Sequence, residues 1–316
     1  MTILGSARHS EHVRLCPLVI IGTSLALALL ACSSTRRPET PAPATRSTAS
    51  APATVRTHSV AAPSPSRPDH IVVAVLENHA YNELIGNPDA PFINSLATSG
   101  LLFTRSYAVT HPSQPNYLAL FSGSTQNVTN DSCRHAFSAP NLGRALLDAG
   151  FTFVGYSEDL PAPGFAGCSS GAYVRKHNPW VNFSNLPRSV NQPFTAFPST
   201  FPALPTLSFV IPNLDHDMHD GTVAAADLWL RDNLGGYVDW AKQHNSLFVL
   251  TCDEDDFSQD NRIVTLAVGA GVKPGRYVEY VDHYRLLRTF EAAYRLAPIG
   301  LSANASPIKL RSDGQM

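Results

Sequence analysis

The chain has 316 residues, 44% of them hydrophobic, with 15 Phe and 10 Tyr, enough for a substantial core in one large or two small domains. Of its 23 Lys/Arg and 25 Asp/Glu, seven and two fall in residues 1–68, so residues 69–316 keep 16 and 23, a net charge of −7. An acidic body without a basic stripe excludes nucleic acid as the expected partner, and acidic clusters at 215–220 and 253–256 ask instead for a cation.

Arg8 and Arg14 precede an apolar run over 15–30 that is too short for a comfortable membrane span and ends Leu29-Leu30-Ala31-Cys32. This resembles a bacterial lipoprotein signal. Residues 1–31 are then the signal peptide, and Cys32 is the lipidated first residue of an exported, outward-facing protein; a plain secretory peptide is the alternative. Residues 32–68 are Ser, Thr, Ala and Pro with few large apolar side chains, the composition of a disordered, extended linker. One lipid cluster on such a spacer holds a domain near a membrane surface. Apart from Cys16 and Cys32, the cysteines are Cys133, Cys168 and Cys252. Outside the cytoplasm a Cys133 to Cys168 disulfide is expected, although three cysteines permit other pairings.

The body reads as one α/β domain over 69–316. The apolar run 70–76 has the length and continuity of a central parallel strand, and it ends at Glu77-Asn78-His79. A short helix over 91–100 follows. Residues 111–123, His-Pro-Ser-Gln-Pro-Asn-Tyr-Leu-Ala-Leu-Phe-Ser-Gly, read as a short buried helix with Ser113 at or just before its N-cap, Pro115 at the first helical position and Gly123 as the stop. A hydroxyl there faces free N–H groups and the positive helix end, a place for a phosphate or oxyanion. Ser113 is therefore the candidate nucleophile.

Asn141 caps a helix over 141–150, which feeds a strand over 151–156. A Pro/Gly-rich excursion then runs to about residue 200 and contains Arg175-Lys176-His177-Asn178-Pro179-Trp180. The next strand, 206–212, delivers Asp215, His216, Asp217, His219 and Asp220. A helix over 223–244 has Leu228, Leu230 and Trp240 for its core side, with Gly235-Gly236 as a potential break. The strand 246–251 delivers Asp253-Glu254-Asp255-Asp256, and the strand 263–268, a turn at 273–275 and a closing helix over 283–296 complete the domain. Three strands thus end in polar clusters, Glu77/Asn78, Asp215/His219 and Asp253/Glu254. Open α/β sheets place their sites at those ends, and such a donor set beside a helix-capping serine suits metal-assisted hydrolysis.

The segments Glu77-Asn78-His79-Ala80-Tyr81, His111-Pro112-Ser113-Gln114-Pro115-Asn116-Tyr117, Lys176-His177-Asn178-Pro179, Met218-His219-Asp220-Gly221 and Thr251-Cys252-Asp253-Glu254 resemble the bacterial phosphoesterase family of acid phosphatases and phospholipases C, within the alkaline phosphatase superfamily. The resemblance implies a three-layer α/β/α fold with a mostly parallel sheet. It implies Glu77, Asn78, Asp253 and Glu254 as ligands of one divalent metal ion, with Asp215, His219 and His283 at a second. Ser113 would be the nucleophile, and Asn116 would hold a phosphate oxygen. Cys252, Arg262 and Val264 depart from the family's usual residues.

The implied activity is hydrolysis of phosphate monoesters through a phosphoserine, on phosphoinositides or phosphoproteins, by a monomer. His111, His177 and His219 are candidates to protonate the leaving oxygen, and Lys176 and His177 to bind phosphate. A phospholipase C or phosphodiesterase, and a non-catalytic ligand-binding lipoprotein, are the alternatives.

Overall fold

The computed structural model describes residues 67–311. The signal, Cys32 and nearly all of the linker lie outside the described residues.

Among the described residues, ten strands and six α-helices order as β1 (His70–Leu76), α1 (Tyr81–Leu84), α2 (Pro91–Ser99), β2 (Leu101–Tyr107), α3 (Ser113–Ser122), α4 (Leu142–Asp148), β3 (Phe153–Ser157), β4 (Ser169–Ser170), β5 (Tyr173–Val174), β6 (Asn191–Pro193), β7 (Leu207–Ile211), α5 (Val223–Gln243), β8 (Ser246–Cys252), β9 (Arg262–Gly269), β10 (Gly275–Asp282) and α6 (His283–Ala293). Eight strands form one sheet in the order β10-β2-β9-β8-β1-β7-β3-β6. Within it β9 runs antiparallel to both β8 and β2, and the other pairings are parallel.

The sheet has helices on both faces, as the resemblance implied. Successive side chains of β1 point to opposite sides. Ile71, Val73 and Val75 join a core with Tyr117 and Phe121 of α3, Leu142 and Leu146 of α4 and Leu286 and Phe290 of α6. Val72, Ala74 and Leu76 join the other core, with Ile93 and Leu96 of α2 and Trp229, Leu230 and Leu234 of α5. Burial on both faces explains why β1 reads as an unbroken apolar run.

Several sequence expectations need correction. Leu228 is 47% exposed, and Trp229 takes the inward place on α5. Gly235 and Gly236 do not break that helix, which runs unbroken through its 21 residues; tertiary packing on the sheet outweighs their low propensity. Strands β2 and β10 were not evident from the pattern. The polar second half of β2 holds exposed Arg105, and β10 is a largely exposed edge strand.

The excursion after β3 is built into the edge of the sheet. Its β6 pairs with β3, and its Trp180 lies against Gly155, where an added Cβ would come within 2.1 Å of the indole. Asn141 caps α4 by accepting from Arg144 N. Cys133 and Cys168 form a disulfide and Cys252 is a buried free thiol. Among the described residues no helix is long and apolar enough to cross a membrane.

Candidate active site

β8, β1 and β7 are adjacent and parallel, so their carboxyl ends bring three loops together. Backbone bonds set the loops level: Glu77 N donates to Asp217 O at 2.8 Å, and Asp253 N to Leu76 O at 2.9 Å. Asn78 turns the chain away with a left-handed φ of 52°, and its N–H donates to Asp253 Oδ1 at 3.2 Å.

Ser113 stands over this edge. Its Oγ lies 2.9 Å from Glu77 Oε2 and 3.3 Å from Glu254 Oε1, with the serine and both carboxyls buried. The helix begins two residues earlier than Pro115 at its first position would place it: Pro112 is the cap, Ser113 the first helical residue and Pro115 the third. Gly123 does close α3, in the left-handed conformation. Gln114 N, near the start of the helix, donates to Asp131 Oδ1 at 3.0 Å, so a carboxylate meets the positive helix end.

Four acidic side chains crowd below the hydroxyl. Burial pushes Glu77 well above the ordinary carboxylate range, and neighbouring Asp253 and Asp217 push it further, against the hydrogen bond from Tyr117 OH at 2.6 Å. Burial likewise raises Asp217 and Asp253 to about 7, and burial with the Asp253 charge raises Glu254 to about 9. Carboxylates this close and this dry share protons rather than all ionise.

His177 is buried between two of them, with Nε2 3.1 Å from Glu77 Oε1 and Nδ1 3.0 Å from Asp217 Oδ2. Burial, then the Lys176 and His219 charges, lower its pKa well below the usual imidazole value. A neutral ring has one N–H for two carboxyl neighbours, and neither ring nitrogen is aligned for a hydrogen bond. Asp217 Oδ2 and Asp253 Oδ2 are buried and equally unpartnered. Glu77, His177 and His219 offer ligand atoms within 4.8 Å of one another. Orphaned nitrogen and oxygen donors around a small gap suit a divalent cation, so the residues present fit a metal ion.

Lys176 Nζ lies 2.9 Å from Asp131 Oδ2 and donates to His219 Nε2 at 3.0 Å, while His219 Nδ1 faces Asp220 Oδ1 at 2.7 Å. Burial would lower the Lys176 pKa, but Asp131, Glu77 and Asp253 raise it, so the ammonium keeps its charge. His111 reaches Glu254 Oε2 through Nδ1 at 3.0 Å and Asp255 Oδ1 through Nε2 at 3.3 Å. Burial lowers its pKa despite Asp255.

Thus Ser113, Glu77, Asp253, Glu254, His111, Lys176, His177 and His219 converge, and the other expected residues do not all join them. Asp215 is exposed at the loop surface, and Asp217 supplies the buried carboxylate from that segment. Asp217 and Asp215 lie in the same acidic run, so only the turn that buries one of them decides. Asn78 contributes its backbone N–H. His283 stands behind the site with Nε2 at Asp253 O, 2.6 Å away. Asn116 accepts from Val109 N and Thr110 N at 3.1 Å and donates to Thr110 O and Glu254 Oε2, bracing the segment that leads into Ser113. Asp131 and Asp217, and the hydroxyl of Tyr117, were not foreseen. A phenol four residues after Ser113, one helical turn on, was the available signal for Tyr117.

A serine hydroxyl among carboxylates and imidazoles, at the carboxyl edge of a mostly parallel sheet, defines a hydrolase site in an alkaline-phosphatase-like fold. A solved protein of the alkaline phosphatase superfamily from Vibrio parahaemolyticus superposes with a TM-score of 0.53 at 14% identity, over 77% of this chain and 71% of that one. Residues 87–297 match the model of the Phosphoesterase family. The chain is 52% identical over 242 residues to phosphatidylinositol-3-phosphatase of Mycobacterium tuberculosis, covering 76% of this chain and 81% of that protein. It is 29% identical over 246 residues to an acid phosphatase of Aspergillus fumigatus, covering 71% of this chain and 54% of the fungal enzyme, about half its length. The chain belongs to the phosphoesterase family and is a phosphoric ester hydrolase.

Proposed function

We propose that the chain hydrolyses phosphate monoesters through a covalent phosphoserine on Ser113, with help from a divalent ion at Glu77, His177 and His219. The observation that carries this reading is the buried Ser113 hydroxyl held between Glu77 and Glu254. Asp217 and Asp253 stand beside the three ligands as further donors. Bound there, the ion would lower the cost of ionising a hydroxyl and offset the charge of the phosphoryl group.

The chain's own residues do the rest. Glu77, which a bound ion would keep ionised, takes the Ser113 proton across the 2.9 Å contact while Oγ bonds to phosphorus and the bond to the leaving oxygen breaks. Lys176 balances charge on the non-bridging oxygens. His111, in contact with Glu254, passes a proton to the departing alkoxide, so an alcohol leaves and the phosphoryl group stays on Ser113. Water then attacks phosphorus and gives a proton to His111, the Oγ to phosphorus bond breaks, and Ser113 takes back the proton held by Glu77 as phosphate departs. Burial of the serine and its acceptors keeps competing water away until this step.

The 52% identical relative is named for a phosphoinositide monoester, which makes that lipid a candidate substrate alongside phosphoproteins. Export and tethering through Cys32 rest on the Leu29 to Cys32 sequence; detergent partitioning of whole chain against Cys32→Ser tests them. The test of the chemistry is Ser113→Ala with p-nitrophenyl phosphate. Turnover should vanish, and wild-type protein quenched in acid should yield a phosphorylated peptide containing Ser113. Retained turnover would falsify the serine mechanism. Faster cleavage of p-nitrophenylphosphorylcholine than of the monoester would make the enzyme a diesterase.

A further inference from the structure

Phe257 is 78% exposed, although large aromatic side chains gain their folding energy from burial. Its backbone is in the left-handed region, φ 68°, where a bulky residue is held only if its surroundings insist. The surroundings do insist. The buried Asp255 carboxylate accepts from Phe257 N at 2.8 Å, Gln259 N at 2.9 Å and Asn261 N at 3.0 Å, and so fixes the loop from within. The effect is to lay the Phe257 ring flat on the His111 imidazole, with centroids 3.8 Å apart and planes 19° from parallel.

One face of the ring is therefore spent on His111, and the other is left to solvent. His111 in turn reaches Glu254 Oε2 at 3.0 Å, and Glu254 Oε1 lies 3.3 Å from Ser113 Oγ. The exposed ring is thus two side chains from the nucleophile, on the histidine assigned to the leaving group. We infer that Phe257 is a specificity residue whose open face packs against an aryl or alkyl leaving group of the monoester. This rests on the phosphomonoesterase reading above. A polar leaving group such as glycerol gains nothing from that face, whereas a flat or apolar one displaces water from it.

The test compares kcat/KM for 1-naphthyl phosphate and glycerol phosphate in wild type, Phe257→Ala and Phe257→Tyr. In Phe257→Ala the naphthyl-to-glycerol ratio should fall by about tenfold, most of it as a higher KM for the naphthyl ester, and Phe257→Tyr should restore it. Equal losses on both substrates would mean that the ring only props His111, and would overturn the inference. So would an unchanged ratio. Because the residue is exposed, equal melting temperatures are expected in all three proteins. Ser113→Ala separates the two ideas: activity surviving that change removes the serine mechanism, while the ratio still reports on Phe257.

Discussion

Ser113 Oγ and Glu77 Oε2, 36 residues apart in the chain, meet at 2.9 Å because α3 begins directly over the carboxyl end of β1. The contact joins the nucleophile to a fully buried acid of the site. Glu77 also accepts from Tyr117 OH on its other oxygen, which faces His177 as well, so both carboxylate oxygens are held by buried polar side chains.

Glu77→Gln keeps the shape and removes the charge. We expect kcat to fall on the order of a hundredfold or more, as for loss of a group acting directly on the nucleophile. In chelator-treated protein the melting temperature should hold or rise, because a buried acid crowded by Asp253 and Asp217 weakens the metal-free fold. Steady-state kinetics and thermal unfolding on the same preparation check both halves; wild-type kcat would remove Glu77 from the mechanism.

The same crowding predicts the pH dependence of the metal-free protein. Glu77, Asp217, Asp253 and Glu254 all hold protons more tightly folded than unfolded. The folded state then binds more protons, so stability falls as pH rises. The contribution is complete below the unfolded carboxyl values near about 4 and is lost as pH climbs through about 7 for Asp217 and Asp253 and about 9 for Glu254. Chelator-treated protein should therefore melt highest in mild acid. A bound divalent ion should invert the trend, since protons compete for its ligands. A melting curve that ignores both chelator and pH would count against a metal at this cluster.

Gly123 shows what the sequence could say of the fold. It was readable as the stop of the serine helix, and it does close α3 at φ 65°. The sequence could not say that Ile299 O lies 1.9 Å from where a Cβ would be. Gly123→Ala should cost about 2–4 kcal/mol, from the left-handed backbone plus overpacking, measured by denaturant unfolding. Much of the rest follows this division. Strands buried on both faces, such as β1, β7 and β8, were legible because burial leaves an unbroken apolar run. The edge strand β10 was not, since exposure removes that signal. At the site, Glu77, Ser113, Asp253 and Glu254 were legible as strand-end or helix-start polar residues. Choosing Asp217 over Asp215 requires the path of the loop, in which Asp217 N donates to Asn213 O while Asp215 stays outside.

The Cys133–Cys168 bridge lies beside residues that serve the site. Cys133 is two residues from Asp131, which accepts from Gln114 N and pairs with Lys176. Cys168 O accepts from Arg175 N, the residue before Lys176. The bridge therefore ties together the two loops whose ion pair holds Lys176 in place. Closing a separation of 35 residues is worth about 3–4 kcal/mol in the chain-entropy account. Replacing both cysteines by serine should lower the melting temperature accordingly. It should also raise KM for p-nitrophenyl phosphate and weaken inhibition by inorganic phosphate, because Lys176 loses its fixed place, while kcat falls less than KM rises. Lys176→Met should reproduce the KM and phosphate effects without the loss of stability. If the double serine variant melts lower but binds phosphate as well as wild type, the bridge serves the fold alone.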